Sequence, residues 1–223
     1  MGRIFFATTA ALIAGGMLLA QEQEQPAPKE NISFKWAFAA SNGKSLSTIT
    51  RDTSLKSGDD IKMFVQIEKE CYVYVVHTGP KGEIDMYFPY NIQQFSSDYE
   101  LEKNYYIPKG RDWLQLDNTK GKETFYVVAS TERLLELEAM LGDYQTAVAA
   151  KKIDLGSKII AEIRDARRRY KTYATIAEKP ITIGGNIRAI VQAESTRRPD
   201  IAERATRVTA SNFFSKTYTI DHQ

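Results

Sequence analysis

The chain has 223 residues, of which 43% are hydrophobic and 11% aromatic, enough apolar material for one sizeable core. Lys and Arg number 30 against 28 Asp and Glu, so the formal net charge is only +2. Recognition of nucleic acid needs a concentrated basic surface, because phosphate contacts supply much of the affinity. This balance of charges excludes a general nucleic-acid binder, and we expect no nucleic-acid partner.

The first 20 residues have the pattern of a secretory signal peptide. Arg3 provides a positive charge, an uncharged apolar run extends from Ile4 to Leu19, and the small Ala20 precedes a strongly polar segment. The apolar run is shorter than the ~20 residues that a membrane span requires, so we prefer cleavage near Ala20 to retention as an anchor. We predict that the protein is exported and has no transmembrane segment once residues 1–20 are removed.

Residues 21–30, QEQEQPAPKE, are polar and contain proline, and we predict a disordered tether there. The chain has one cysteine, Cys71, so it cannot form an internal disulfide in an oxidising compartment. The domain that follows must therefore be held together by packing.

From residue 31 the sequence is typical of short β-strands. ISFKWAFAA and DDIKMFVQIEKE alternate with the period of two that places one set of side chains on one face. CYVYVVH is apolar on both faces, which indicates a strand central in its sheet, and TGPKGE predicts a hairpin to IDMYFPY. NYYIP, DWLQLD and ETFYVVAS bring the count to seven strands, which favours an antiparallel, immunoglobulin-like β-sandwich.

At Thr131 the period of the apolar residues changes to that of a helix. Gly142–Asp143 is a candidate interruption, with Asp143 as the cap of a second helix. The first apolar stripe comprises Leu134, Leu137, Leu141, Tyr144 and Val148, and the second comprises Leu155, Ile159, Ile163, Ala166, Tyr170 and Tyr173. IRAIVQAES and FFSKTYTIDH then return to strand patterning. We predict a mainly β fold with an α insertion: one β-sandwich domain over residues 31–223, carrying a helical hairpin at about 131–178.

The stretch LKSGDDIKMFVQIEKECYVYVVHTGPKGEIDMYFP, with the later YYIP and ETFYVVAS, resembles the bacterial domain-of-unknown-function family 4384. The resemblance covers Leu55 to about Leu135, and SNFFSKTYTIDH is similar to the last strand of the family. It implies a compact, mostly β module of an exported or envelope protein, periplasmic or secreted to the outer surface of a bacterium. It implies no catalytic residue, because the family has no agreed activity. The chain departs from a minimal family domain in its helical stretch, Thr131 to Glu178.

Cys71 and His77 could form a thiol–imidazole pair only if their side chains met. On one strand, six residues at about 3.3 Å per residue separate them by roughly 20 Å, whereas a nucleophile and its base must approach to about 3 Å. A thiol on an apolar strand usually behaves as a small hydrophobe with a raised pKa. We therefore assign Cys71 to the core, and we assign no catalytic residue.

Neither a metal nor a cofactor is expected. Two histidines and one cysteine far apart in sequence do not make a zinc site. Asp59–Asp60 and Asp98–Glu100 lack the ligand spacing of a calcium loop. The sequence also has no Gly-x-Ser-x-Gly elbow, P-loop or His-Glu-x-x-His motif.

The first candidates for partner binding are aromatic. MYFPYNIQQF and the following NYY place rings near strand ends, where rigid aromatic side chains suit peptide, glycan or protein partners. The candidates are Tyr90, Phe95 and Tyr105. Packing in the core and its rim is the competing interpretation, with Tyr90 and Phe95 the most exposed of the set.

The second candidates are basic. IRDARRRYK places Arg167, Arg168 and Arg169 around a predicted helix. A solvated helix face is the simplest interpretation, and the sharper hypothesis is docking to an anionic envelope surface or an acidic protein. The candidates to extend this surface are Arg197, Arg198, Arg204 and Arg207.

We predict an exported envelope module that binds or assembles with an envelope protein and has no catalytic activity. The alternative is an accessory subunit or enzyme of cell-wall or polysaccharide processing that uses carboxylates on loops. A third hypothesis is a structural envelope component that associates with itself.

Overall fold

The computed structural model describes residues 31–43, 45–170, 176–180 and 199–223. The predicted signal peptide, the tether at 21–30 and the strand predicted at IRAIVQAES lie outside the described residues. The described chain is mostly β: its strands form two sheets, and its longer helices lie between strands in the sequence. The prediction of a mainly β fold with helices between strands is confirmed.

Seven strands form the larger sheet: β1 Ile32–Ser41, β2 Leu46–Thr48, β4 Asp60–Ile67, β7 Asn104–Ile107, β8 Leu114–Gln115, β10 Ile176–Pro180 and β11 Thr206–Ala210. The order is β10-β11-β1-β4-β7, while β2 pairs with β1 and β8 pairs with β4. Each of these pairs is antiparallel. β1 and β4 pair along most of their length, from Phe34–Ile67 to Ser41–Asp60.

Five strands form the second sheet: β3 Thr53–Leu55, β5 Tyr72–Thr78, β6 Ile84–Phe88, β9 Gly121–Ser130 and β12 Phe213–His222. Their order is β3-β12-β9-β5-β6. β5 and β6 form the predicted hairpin, with a register shift between Val75 and Val76. β3 pairs with β12 in parallel, so the predicted antiparallel arrangement holds for every described pair except this one.

Alternate residues of both sheets meet in an apolar layer, which we call the inter-sheet core. β1 contributes Trp36 and Phe38 to it, and the facing sheet contributes Phe125 and Tyr218. Phe38 packs edge-on against Phe125 with 5.0 Å between ring centroids. Trp36 Nε1 donates to the Tyr218 hydroxyl at 2.8 Å. Because side chains from the two sheets interdigitate, the period of two in each strand decides which residues enter the inter-sheet core.

Three α-helices are described: α1 Gln94–Ser97, α2 Leu135–Thr146 and α3 Ala149–Tyr170. The apolar stripes of α2 and α3 pack on Tyr74, Val76 and Val128, which are residues of β5 and β9 that point away from the inter-sheet core. β5 therefore has an apolar layer on each face, as its sequence predicts. A 3-10 helix, Ile201–Arg204, covers part of the outer face of the seven-stranded sheet.

The predicted interruption of the helical stretch at Gly142 is wrong. Gly142 lies inside α2, and the helix ends at Thr146, because the next residue, Ala147, is extended (φ −68°, ψ 144°). Val148 is 64% exposed rather than part of the buried stripe. A glycine costs a helix only ~1 kcal/mol. The burial of Leu141 and Tyr144 on either side of it contributes more than that.

The helical segment is shorter than the predicted 131–178. α3 extends to Tyr170 in the described chain, and Ile176–Pro180 forms β10, which pairs with β11. After the helices the chain returns to both sheets, and β12 pairs with β9 from Phe213–Ser130 to His222–Gly121. FFSKTYTIDH is thus a strand, as predicted.

Lys62 on β4 is polar yet only 4% exposed. The segment after β7 folds over it, and its ammonium donates to the carbonyl oxygens of Pro108 and Gly110 at 3.2 and 3.0 Å. It also donates to the carbonyl of Asp112. One buried cation therefore satisfies three backbone acceptors of this connection.

Replacing Lys62 by Met should lower the free energy of unfolding by ~2–3 kcal/mol, because three carbonyl oxygens lose a charged donor while the aliphatic volume is kept. Urea denaturation measures the change. Lys122→Met is the matched control, since Lys122 is an exposed lysine on β9, and it should change stability by less than ~0.5 kcal/mol. Equal effects of the two substitutions would contradict the role assigned to Lys62.

Candidate functional site

A small pocket opens beside the start of β5, between the β4–β5 connection and the segment that follows α1. Its volume is about 280 Å³. The side chains around it are mostly aromatic or aliphatic: Ile67, Glu70, Cys71, Tyr72, Phe95, Tyr99 and Leu101. We call this site the aromatic pocket.

Hydrogen bonds to the strand backbone hold the outer wall of the aromatic pocket in place. The Tyr99 hydroxyl donates to the Cys71 carbonyl and accepts from the Val73 N–H, both at 2.9 Å. The Glu102 N–H donates to the Ile67 carbonyl at 2.8 Å. Burial raises the pKa of Tyr99 well above its usual value, so the hydroxyl keeps the proton that it donates. The wall is therefore fixed to β4 and β5.

Three rings form the apolar surface of the pocket. Tyr72 and Tyr99 are nearly parallel, with ring centroids 6.2 Å apart and 15° between their planes. Phe95 stands edge-on to both rings, with its centroid 5.2 Å from that of Tyr72 and 4.9 Å from that of Tyr99. Edge-to-face contacts favour defined ring orientations, so this surface is organised before any ligand arrives.

The mouth of the pocket combines an apolar side chain with carboxylates. Leu101 is 56% exposed, and its neighbours Glu100 and Glu102 are both exposed. Glu70 is also exposed and is the one charged side chain among the described residues that line the pocket. The described chain therefore leaves an apolar, ring-lined surface open to solvent beside a carboxylate.

Of the three predicted aromatic site residues, the pocket includes only Phe95. Tyr105 is 2% exposed and belongs to the inter-sheet core, because β7 directs it inward together with Ile107. Its proposed place on a binding surface is therefore wrong. Tyr90 is half-buried, and its hydroxyl donates to the Tyr106 carbonyl at 2.6 Å.

The predicted arginine site lies on the exposed side of α3. Arg168 pairs with Asp165 on the same helix, and Arg169 bonds to Glu162 at 2.6 Å. Arg167 is exposed and makes no ion pair with any residue that the structure describes. Two of the three charges are thus neutralised within the helix, and the three side chains do not form an unpaired basic patch.

Arg204 and Arg207 do not extend this basic surface, so the prediction is wrong for these two residues. The other two candidates, Arg197 and Arg198, lie outside the described residues. Arg207 is on β11 and bonds to Glu68 at 2.7 Å. Arg204 ends the 3-10 helix on the same sheet. Because α3 covers the other sheet, these arginines belong to a different face of the molecule.

A polar cluster that the sequence did not predict joins four neighbouring strands, β12, β9, β5 and β6. The Glu123 carboxylate on β9 accepts from His77 Nε2 on β5 at 2.5 Å, and its other oxygen lies 3.7 Å from His222 Nδ1 on β12. His77 Nδ1 lies 3.4 Å from Asp85, and His222 Nε2 lies 3.1 Å from Ser57 Oγ. We call these five residues the His–Glu cluster. Both histidines of the chain meet at one buried carboxylate.

Cys71 is 1% exposed in the inter-sheet core, as predicted. Burial raises the pKa of its thiol to about 12, so the thiolate that nucleophilic chemistry requires is scarce at neutral pH. His77, six positions further on, is bonded to Asp85 and Glu123.

Within residues 31–43, 45–170, 176–180 and 199–223, no group of three or more His, Cys, Asp or Glu side chains is placed to hold a metal ion. In the same part of the chain, no helix has the length and apolar character of a membrane span.

The pKa of His77 is raised above its usual value. Burial alone would lower it, but the hydrogen bonds to Asp85 and Glu123 outweigh burial. Because the folded state holds the proton more tightly than the unfolded state, protonated His77 stabilises the fold. This contribution is complete below the unfolded pKa of about 6.5 and is lost as the pH rises through the folded pKa.

The free energy of unfolding should therefore fall as the pH rises above ~6.5, and His77→Gln should flatten this part of the profile. Urea denaturation at intervals between about pH 6 and about pH 9 measures both curves. The chain has two histidines, so the same variant identifies which imidazole NMR signal titrates above the usual midpoint. Parallel pH profiles of the two proteins would contradict the assignment.

The fold and the site define a class of protein. It is mostly β, with two packed sheets, a helical layer on one of them and a small aromatic pocket. Residues 54–133 match the family model described as Domain of unknown function (DUF4384). The family predicted from the sequence is therefore confirmed for this segment of the chain. The match contains the aromatic pocket, whereas α2, α3 and β12 lie after it. No curated protein and no solved structure matches the chain.

Proposed function

We propose that the protein is an exported module that binds or assembles with another envelope protein, without catalytic activity, and that the aromatic pocket is its binding site. The carrying observation is the exposed Leu101 beside the three rings of Tyr72, Phe95 and Tyr99. The signal-peptide pattern of residues 1–20 supports export. What the family resemblance implies supports the bacterial envelope as the destination.

The size of the pocket favours a protein partner. Pockets for small molecules usually measure about 300–1,000 Å³ and enclose most of the ligand. A volume of about 280 Å³ suits one or two side chains of a larger partner. Rigid aromatic rings beside an exposed aliphatic residue are the kind of surface that anchors such a side chain.

The His–Glu cluster is the arrangement that comes nearest to a catalytic site, and its surroundings support a structural role. Ser57 Oγ lies 3.1 Å from His222 Nε2, as in a nucleophile and its base. The backbone N–H groups of residues 57, 58 and 59 donate to the carbonyls of residues 223, 116 and 56. Acyl transfer requires hydrogen-bond donors that stabilise an oxyanion. All three of these N–H groups already donate to carbonyl oxygens, so none is available for that role.

The exposed side of α3 is proposed as a second contact, directed to an anionic envelope surface. Arg164 and Arg167 are exposed and make no ion pair with a described residue, while Arg168 and Arg169 are paired with acids of the same helix. The immunoglobulin-like topology and the extent of the domain over 31–223 stay predictions, as does the alternative role in cell-wall processing.

A photo-crosslinking amino acid at position 101, introduced into the exported protein in living bacteria, should capture a defined envelope protein. Position 135 is the matched control, because Leu101 and Leu135 are 56% and 65% exposed and Leu135 lies at the start of α2. With the captured protein in hand, Leu101→Glu should weaken its binding at least about tenfold, since a charge replaces an apolar anchor, and Leu135→Glu should leave binding unchanged. Identical crosslinks at both positions, or equal binding by both variants, would remove the support for the pocket as the binding site.

A further inference from the structure

We infer that the aromatic pocket accepts a basic side chain, lysine or arginine, from the partner segment that docks there, with Glu70 as its counter-ion and the three rings as its walls. The inference rests on the proposed function and names the chemistry of the partner. The pocket combines a carboxylate, an aromatic surface and an exposed aliphatic residue at one small site.

In the described chain Glu70 has no paired cation, whereas Glu68, Glu100 and Glu138 each have one. Glu68 bonds to Arg207 at 2.7 Å, and Glu138 is paired with Arg133. Glu70 lines the pocket and is exposed. Among the residues that the structure describes, it has no ion-pair partner. A carboxylate at the wall of a small pocket binds most strongly to a partner group that carries a positive charge and can donate a hydrogen bond to it.

The rings provide the second half of a cation site. A positive group near an aromatic face within about 6 Å is attracted by the electrons of the ring. Phe95 already takes part in this interaction within the molecule, because the Arg133 guanidinium lies 5.5 Å from its centroid. Arg133 is itself paired with Glu138, so it does not neutralise Glu70. Tyr72 and Tyr99 complete the wall beside Glu70.

Leu101 accounts for the aliphatic part of such a ligand. Lysine and arginine carry three or four methylene groups that pack on apolar surface while the charged end remains among polar groups. Leu101 is 56% exposed at the mouth, and Glu70 lies on the pocket wall. A neutral apolar side chain would fill the same space, but it would displace water from the Glu70 carboxylate and provide no hydrogen bond or charge in its place. An acidic side chain would be repelled by Glu70 and by the nearby Glu102, whereas Glu100 is paired with Lys103.

The test uses the protein purified after export and three acetylated, amidated pentapeptides of sequence Gly-Leu-X-Leu-Gly, with X as lysine, norleucine or glutamate. Norleucine keeps the length of the lysine stem and lacks its charge. Two-dimensional NMR titration at low salt gives the Kd for each peptide and shows whether the signals of Tyr72, Phe95 and Leu101 shift. We expect the lysine peptide to bind at these residues about fivefold tighter than the norleucine peptide, with weaker binding at higher salt and none for glutamate.

In the Glu70→Gln variant, the Kd values of the lysine and norleucine peptides should become equal. Asp52→Asn is the matched control, because Asp52 is also an exposed carboxylate but precedes β3, at the opposite edge of the five-stranded sheet from β5 and β6. It should keep the fivefold preference. A lysine preference that survives Glu70→Gln overturns the inference, as do equal values for lysine and norleucine in the unaltered protein, or no shift at the pocket with any peptide. The proposed function is tested separately, by the crosslinking and binding comparison of positions 101 and 135.

Discussion

The burial of β5 on both of its faces is the constraint on which the rest of the structure depends. Val73 and Val75 point into the inter-sheet core, Tyr74 and Val76 point into the layer beneath α2 and α3, and all four are 0% exposed. Each such side chain contributes ~1.5–3 kcal/mol relative to an exposed one. A strand that is apolar on both faces can slip by one residue without exposing apolar surface to water. Its hydrophobic pattern therefore secures its burial but not its register.

Polar groups at two points of β5 secure the register. The Tyr74 hydroxyl donates to Glu138 at 2.6 Å and accepts from the Leu134 N–H at 3.0 Å, which also fixes the start of α2. On the other face, His77 bonds to Glu123. A slip by one residue would leave these buried groups without partners, a cost of ~1–3 kcal/mol for each. The same register places Tyr72 beside Phe95 and Tyr99, so the aromatic pocket inherits its geometry from the core.

Strands with visible alternation, such as β1 and β4, could be predicted from the sequence because their period needs no knowledge of a partner. β2 and β3 have three residues each and exist as strands through their pairing with β1 and β12, which no local pattern shows. The site was predicted in part: Phe95 and Tyr105 are both aromatic residues near strand ends, and only the pairing of β7 with β4 shows that Tyr105 points inward. The His–Glu cluster could not be predicted, because it requires the order β12-β9-β5.

Amide hydrogen exchange, resolved residue by residue, tests the central position of β5 most directly. β5 is hydrogen-bonded to β9 on one side and to β6 on the other, and it is covered on both faces. Its amides that bond to β9 should therefore exchange only when the whole protein unfolds, with a free energy equal to that from urea denaturation. The amides of β2 and α1 should exchange far sooner through local opening. Exchange of β5 as fast as that of β2 would show that the two-sided burial of this strand does not hold the fold together.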